Sequence, residues 1–346
     1  MKIIKQEQKG NQAILEIEEE YVKLEPHIKK AYVEVSKDVK IPGFRQGKVP
    51  EDILKKYIRE EAVIDRAVQL LISEIYPDII ETSKIKPVDY PNVEIKKLSG
   101  STPLVFGIKV DVFPEIKLGN YKGFKLKKKD TTITDEEIEK TLEFIKKNYA
   151  KQNSIDEASL ALDDDFARKV STSSSIADLR ALLRANIEIE KKNDAQASLR
   201  DEVTRKLAEE VTVDIPQAMI EREIDLMVND LEYSLQRSRM TLQSYLSAMK
   251  KDMDKLRSEM KNAAQIRLKA KFGLDEIKQK EKLALEENEL NKELQALAEH
   301  SGKTLDEYKT EMSEGTLESI RDFMLREKAI DFVVSKAKVE EVKREG

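Results

Sequence analysis

Phe106-Gly-Ile-Lys-Val-Asp-Val112 decides the fold. Phe106, Ile108, Val110 and Val112 recur at every second residue, with Gly, Lys and Asp between them. Only an extended strand with one buried face puts such residues on one side. Upstream, Val93 and Ile95 alternate with polar neighbours in the same way. At the far end of this region, residues 1–20 read as two short strands turning at Lys9-Gly10-Asn11. Between the strands the period becomes helical. Leu24, Ile28, Ala31, Val35 and Val39 lie three or four residues apart and form one apolar stripe. Ile41-Pro42-Gly43 stops it, since proline and glycine both oppose helix. Pro50 suits the first position of a second helix, with Val63, Ala67, Leu70, Leu71 and Ile75 as its stripe. Pro77 is expected to kink or end that helix. Residues 1–113 are therefore expected to form a compact α+β domain, strands at both ends and helices between.

Downstream the character changes. Residues 114–130 are rich in lysine and carry two glycines, so they read as an extended linker. Thr134-Asp-Glu-Glu137 is a capping box, with Ile133 and Ile138 placed as its hydrophobic staple, and opens a helix to about Tyr149. A junction without clear period follows. From Leu162 onward the reading is helical: Leu179, Leu182 and Leu183 begin a long helix that Leu199, Val203 and Leu207 continue. Asp214-Ile215-Pro216 starts another, with Pro216 at its first position. His300-Ser301-Gly302 reads as a stop and Thr304-Leu-Asp-Glu307 as a further capping box. No fixed-period repeat and no lasting heptad register is present. The expected fold class is an α+β N-terminal domain followed by an elongated all-α C-terminal domain over residues 131–346.

Charged residues make up 37% of the 346, against about 25% in an ordinary domain. Aromatics are 5% and tryptophan is missing. So much surface per unit of core predicts extended helical arms. The net charge of −5, with both signs mixed, argues against a dedicated DNA-binding protein. Cysteine is absent, which removes disulfides, thiolate metal sites and cysteine nucleophiles. The opening MKIIKQEQKG has no apolar run behind it, and no stretch reaches the roughly 18 apolar residues of a spanning helix. A cytoplasmic protein without membrane contact is expected.

Catalytic chemistry is hard to place. His27 borders the apolar stripe of the first helix and reads as structural, while His300 sits at a helix end that suits its positive form. Asp163-Asp164-Asp165 lacks the alternating ligands of a calcium loop and reads as a solvated run entering a helix. Gly43, Gly47 and Lys48 have the wrong spacing for a phosphate loop, and Val49 stands where Ser or Thr is required. No catalytic, metal-binding or cofactor-binding residue is expected.

The loop Gly43-Phe-Arg-Gln-Gly-Lys-Val-Pro50 still needs a reason. Phe44 lies between two glycines with Arg45, Lys48 and Lys40 nearby. That set could hold phosphate and acidic groups while the ring makes apolar contact. On the residues alone, a Phe tucked into the core between two helices is an equal alternative.

GFRQGKVP between two helices, in a domain that opens with a hairpin, resembles the signature loop of bacterial trigger factors. The resemblance continues at Val110-Asp-Val-Phe-Pro-Glu115, Leu162-Asp-Asp-Asp-Phe-Ala-Arg-Lys-Val-Ser171, Val213-Asp-Ile-Pro-Gln-Ala-Met-Ile220 and Ala337-Lys-Val339. It implies an ATP-independent, ribosome-associated chaperone that meets nascent or unfolded polypeptides at the tunnel exit of the large subunit. The ribosome-binding residues would be Gly43, Phe44, Arg45, Gln46, Gly47, Lys48 and Pro50, with Phe44, Arg45 and Gln46 touching rRNA and a ribosomal protein. The family commonly has Lys where this chain has Gln46, which would weaken docking. Such proteins normally carry an FKBP-like prolyl-isomerase domain between the helix near Tyr149 and the segment at Leu162. Only about a dozen aromatic-free residues lie there in this chain, so isomerase activity is not expected.

Client binding is expected in the helical part, where Met219, Met227, Met240, Met249, Met253, Met260, Met312 and Met324 cluster. Methionine is flexible and polarizable, which suits a surface that accepts many apolar shapes. Ordinary core packing is the competing reading for most of them. A homodimer is left open, and a helical scaffold without chaperone activity is the alternative function.

Overall fold

The computed structural model describes residues 1–38, 53, 57, 59–98 and 102–342. The loop at residues 43–50 and the expected helix stop at Pro42 lie outside the described residues. The chain folds as two compact units. One comprises Met1–Glu115 with Val213–Gln265, the other Ile116–Thr212 with Ile266–Gly346. The units cut across the helical region that the sequence presents as one domain.

In the first unit, β1 (Lys2–Lys9) and β2 (Gln12–Glu19) form the expected hairpin, and Gly10 takes the positive φ of +58° that its turn needs. With β3 (Asn92–Lys97) and β4 (Leu104–Asp111) they make an antiparallel sheet of order β1-β2-β4-β3. Leu15 pairs with Ile108 and Ile17 with Phe106, so one face of both strands is wholly buried. That face carries α1 (Tyr21–Asp38) and α2 (Glu60–Ser83), which add Leu24, Ala31, Tyr32, Val63, Ala67, Leu71 and Ile79 to a single core. His27 is buried between the helices. One ring nitrogen meets the Lys23 carbonyl at 2.9 Å and the other meets Glu74 of α2 at 3.1 Å.

Pro77 neither ends nor breaks α2, which runs on to Ser83. Proline removes one helical donor, but Pro77 and Ser73, whose carbonyl loses that donor, are both exposed and can turn to water. Buried Ile75 and Ile79 anchor the turns on either side.

The second part of this unit is helical: α6 (Gln217–Arg237), α7 (Leu242–Met249) and the first half of α8 (Met253–Lys280). Pro216 caps α6 and does not occupy its first turn. Ile220, Ile224 and Val228 of α6 and Leu256 and Ala264 of α8 are buried apolar side chains of this part. Arg257 of α8 ties to Glu221 and Asp225 of α6 at 2.7 and 2.6 Å. Asn11 of the hairpin donates to the Asp214 carbonyl, and Arg222 meets Asp89 at 3.3 Å.

In the second unit, α3 (Asp135–Asn153) has the expected capping box at Thr134. It packs with α4 (Asp164–Val170) and the start of α5 (Ile176–Glu210) around Ile138, Leu142, Ala167, Leu179 and Leu183. The Asp163 side chain accepts from the Phe166 N–H at 2.9 Å and caps α4. A second core gathers Leu199, Val203 and Leu207 from the far end of α5, Leu274 and Ile277 from α8, and Ala329, Ile330 and Val333 from α11 (Glu314–Ser335). Gly273 permits the close crossing of α8 on α5, since a Cβ there would stand 2.8 Å from Leu207 and 2.9 Å from Val211. Between them in sequence, α9 (Glu287–His300) stops where His300-Ser301-Gly302 predicts, and α10 (Leu305–Glu311) begins with the capping box at Thr304.

The C-terminal region is long and helical, as expected, with short strands added to it. Within residues 114–130, β5 (Lys117–Leu118) pairs with β7 (Val211–Thr212), and β6 (Lys125–Lys129) pairs in parallel with β8 (Lys338–Val342). The expected linker is extended, but it is built into the second core by Leu126, which is fully buried. Tyr121 donates to Glu281 at 2.5 Å, and burial together with that carboxylate pushes its phenol up to about 12.

Candidate functional site

Two surfaces are candidates from the sequence. The first, residues 43–50 with Gly43, Phe44, Arg45, Gln46, Gly47, Lys48 and Pro50, lies outside the described residues. The α1 and α2 helices on either side of it in sequence contribute to the core of the sheet domain.

The second is the methionine set. None of the eight between Met219 and Met324 is buried. Met240, Met249 and Met253 are exposed, and Met219, Met227, Met260, Met312 and Met324 are half-buried. Six of them, Met219 to Met260, fall in the Val213–Gln265 part of the first unit, while Met312 and Met324 belong to the second unit. The structure thus divides the set between two units.

The Val213–Gln265 part also exposes apolar side chains that the methionine count missed. On α6, Met219, Leu226 and Tyr233 are seven residues apart and share one face. Leu226 is 54% and Tyr233 68% exposed. The opposite face buries Ile220, Ile224 and Val228. Apolar side chains on both faces of a helix are a sequence signal, because a helix packed on one side needs only one stripe. Around this stripe, charges are paired: Arg257 is held by Glu221 and Asp225, and the Glu221 carboxyl is kept below the usual range by its hydrogen bonds from Arg257 and Gln217. Ion-paired charge beside exposed Met, Leu and Tyr makes a soluble surface that still offers apolar contact.

Among the described residues, no cluster of His, Cys, Asp and Glu could hold a metal ion, and no helix is long and apolar enough to cross a membrane.

Residues 1–145 match the family model for bacterial trigger factor protein, and residues 175–335 match that for the trigger factor C-terminus. The chain belongs to the bacterial trigger factor family. The trigger factor of Geobacillus sp. (strain WCH70) is 28% identical over 419 residues, covering 95% of this chain and 97% of the relative. That of Acetivibrio thermocellus is 26% identical over 426 residues, covering 97% and 100%. Both alignments are longer than the 346 residues of this chain, so these trigger factors hold residues with no counterpart here. A solved structure of the trigger factor chaperone, described for promiscuous substrate recognition in folding and assembly, shares the fold with a TM-score of 0.58. It is 17% identical and covers 97% of this chain and 100% of its own. As a trigger factor, this chain is a ribosome-associated chaperone that binds other polypeptides, and a helical scaffold is not favoured. Neither matched region is an enzyme domain.

Proposed function

We propose that this trigger factor docks and holds without catalysing prolyl isomerisation. Docking is assigned to Phe44, Arg45, Gln46 and Lys48 on the large ribosomal subunit near the tunnel exit, in the cytoplasm. The loop's composition supports this: two cations and an aromatic ring beside two glycines suit a surface of phosphate and protein. Replacing Phe44, Arg45 and Lys48 together with Ala is expected to abolish co-sedimentation with ribosomes while helix content is unchanged. Binding by the parent should weaken as salt rises, because cations facing RNA release counterions. Normal binding by the triple variant overturns the assignment.

Holding is assigned to the exposed apolar surface of residues 213–265. The observation that carries it is the outward pair Leu226 and Tyr233 on α6, whose inner face is already packed, together with the exposed Met240, Met249 and Met253 that follow it in the chain. Nascent and unfolded chains are the clients, with affinities of about micromolar, or −8 kcal/mol. Residues 154–163, which join α3 to α4, contain one short 3-10 turn at Glu157–Ser159. The longer relatives fit an insertion at this junction. A prolyl-peptide assay on pure protein should therefore show only the uncatalysed rate, tens to hundreds of seconds, and titratable catalysis refutes that part. Sedimentation with and without client tests whether a homodimer forms.

A further inference from the structure

We propose that the groove between α2 and the outer edge of β3 takes up an extended polypeptide segment as an added strand, apolar at alternate positions and flanked by Lys or Arg. This inference rests on the client-binding reading above and adds a second place for clients, on the sheet domain.

The sheet order leaves β1 and β3 at the edges. Among the described residues, β3 has one ladder partner, β4. Half of its backbone donors and acceptors therefore face away from the sheet, a template that only another extended chain can match. On that side lies a hollow of about 910 Å3 between α2 and residues 90–95. Its apolar lining is Val68 and Ile72 from the helix and Val93 and Ile95 from the strand. Val93 and Ile95 are two residues apart, so an added strand with the same period of two drops its alternate side chains onto this floor. Tyr90, 90% exposed at one end, offers a ring to whatever enters.

The charge at the rim fixes the flanks of the occupant. Among the described residues its one cation, Arg66, is committed to Glu34 at 2.7 Å and Gln69 at 3.1 Å. Asp65 and Glu94 also line the groove and form no ion pair among the described residues. The rim is left acidic, and a strand carrying Lys or Arg beside its apolar residues complements it. The ladder reads backbone and not sequence, which suits a protein that must accept many chains.

The chain has no cysteine, so Gln69→Cys gives a single site for an environment-sensitive dye at the groove. The probe is acetyl-Lys-Val-Thr-Val-Thr-Val-Lys-amide. A saturable emission shift is expected, reversed by excess unlabelled protein. Asp65→Asn with Glu94→Gln should weaken binding about fivefold, as two exposed pairs of ordinary strength would. A peptide with Glu flanks should bind no better than the parent peptide binds that double variant. Two N-methylated peptides, blocked at alternate amides in opposite phase, should differ sharply, because only one phase removes the groups facing β3. Equal binding by both phases overturns the added strand. Equal binding of Lys- and Glu-flanked peptides overturns the acidic rim. No peptide binding, or a shift that follows protein concentration without peptide, means that the groove is filled by this chain or a second copy, and overturns the proposal. Aggregation suppression by the unmutated protein is measured separately. If it is intact while the groove takes no peptide, this inference alone falls; if it is absent, the holding function itself falls.

Discussion

The sheet domain and the helices of residues 213–265 belong to one compact unit, yet they use apolar residues in opposite ways. The sheet domain sinks Leu15, Ile17, Leu24, Leu71, Phe106 and Ile108 into a core from which water is excluded. The helical part buries a thin seam, Ile220, Ile224, Val228, Leu256 and Ala264, and leaves Leu226, Tyr233 and three methionines outside. Apolar area is thus divided between holding the fold and meeting other chains. A chaperone needs both, and placing them in different parts lets one vary without the other.

The largest test of that contrast is core truncation. Phe106→Ala should cost about 3–5 kcal/mol and Ile224→Ala about 2–3 kcal/mol, because a two-helix seam relaxes around a void more easily than a sheet core does. Urea denaturation reads both, and a costlier Ile224→Ala breaks the comparison. Next in size is the exposed set. Met240, Met249 and Met253 replaced by Gln should weaken client holding on the order of tenfold, from lost apolar burial. Stability should change by no more than about 0.5 kcal/mol per site, as at ordinary surface positions. A variant that unfolds, or one that holds as well as the parent, shows that these side chains are not a separate surface.

The smallest effect concerns Glu19, buried at the end of β2. Burial pushes its carboxyl up, but hydrogen bonds from the Met1 amino group and the Glu20 N–H, with Lys23 nearby, outweigh this and hold it below the usual range. A depressed folded value means that its contribution is present above the unfolded value and is lost as pH falls toward the folded one. Glu19→Gln should therefore flatten the acid limb of the sheet domain's unfolding. An acid limb as steep as the parent's would remove Glu19 from the account.

Short-range signals were the legible part. The turn at Gly10, the capping boxes at Thr134 and Thr304 and the stop at Ser301-Gly302 each depend on a few neighbouring residues, and each stands where it was expected. Long-range pairing was not legible. Lys117–Leu118 and Lys125–Lys129 are too short and too rich in lysine to declare themselves, and their partner strands come much later in the chain. Pro77 does not end α2, because the carbonyl that loses its donor belongs to the exposed Ser73 and can turn to water. For the binding surface, composition pointed to the methionines, whereas Leu226 and Tyr233 required knowing which face of α6 was already buried.

The parallel pairing of β6 with β8 has a consequence for synthesis. Leu126 leaves the ribosome early, but the strand that lies beside it, Lys338–Val342, emerges more than two hundred residues later. Until then β6 has an open edge and its core lacks Ala329, Ile330 and Val333. A contact that spans so much chain closes slowly and leaves apolar surface uncovered in the meantime. During its own translation, a protein that shelters unfinished chains is for a long interval one of them.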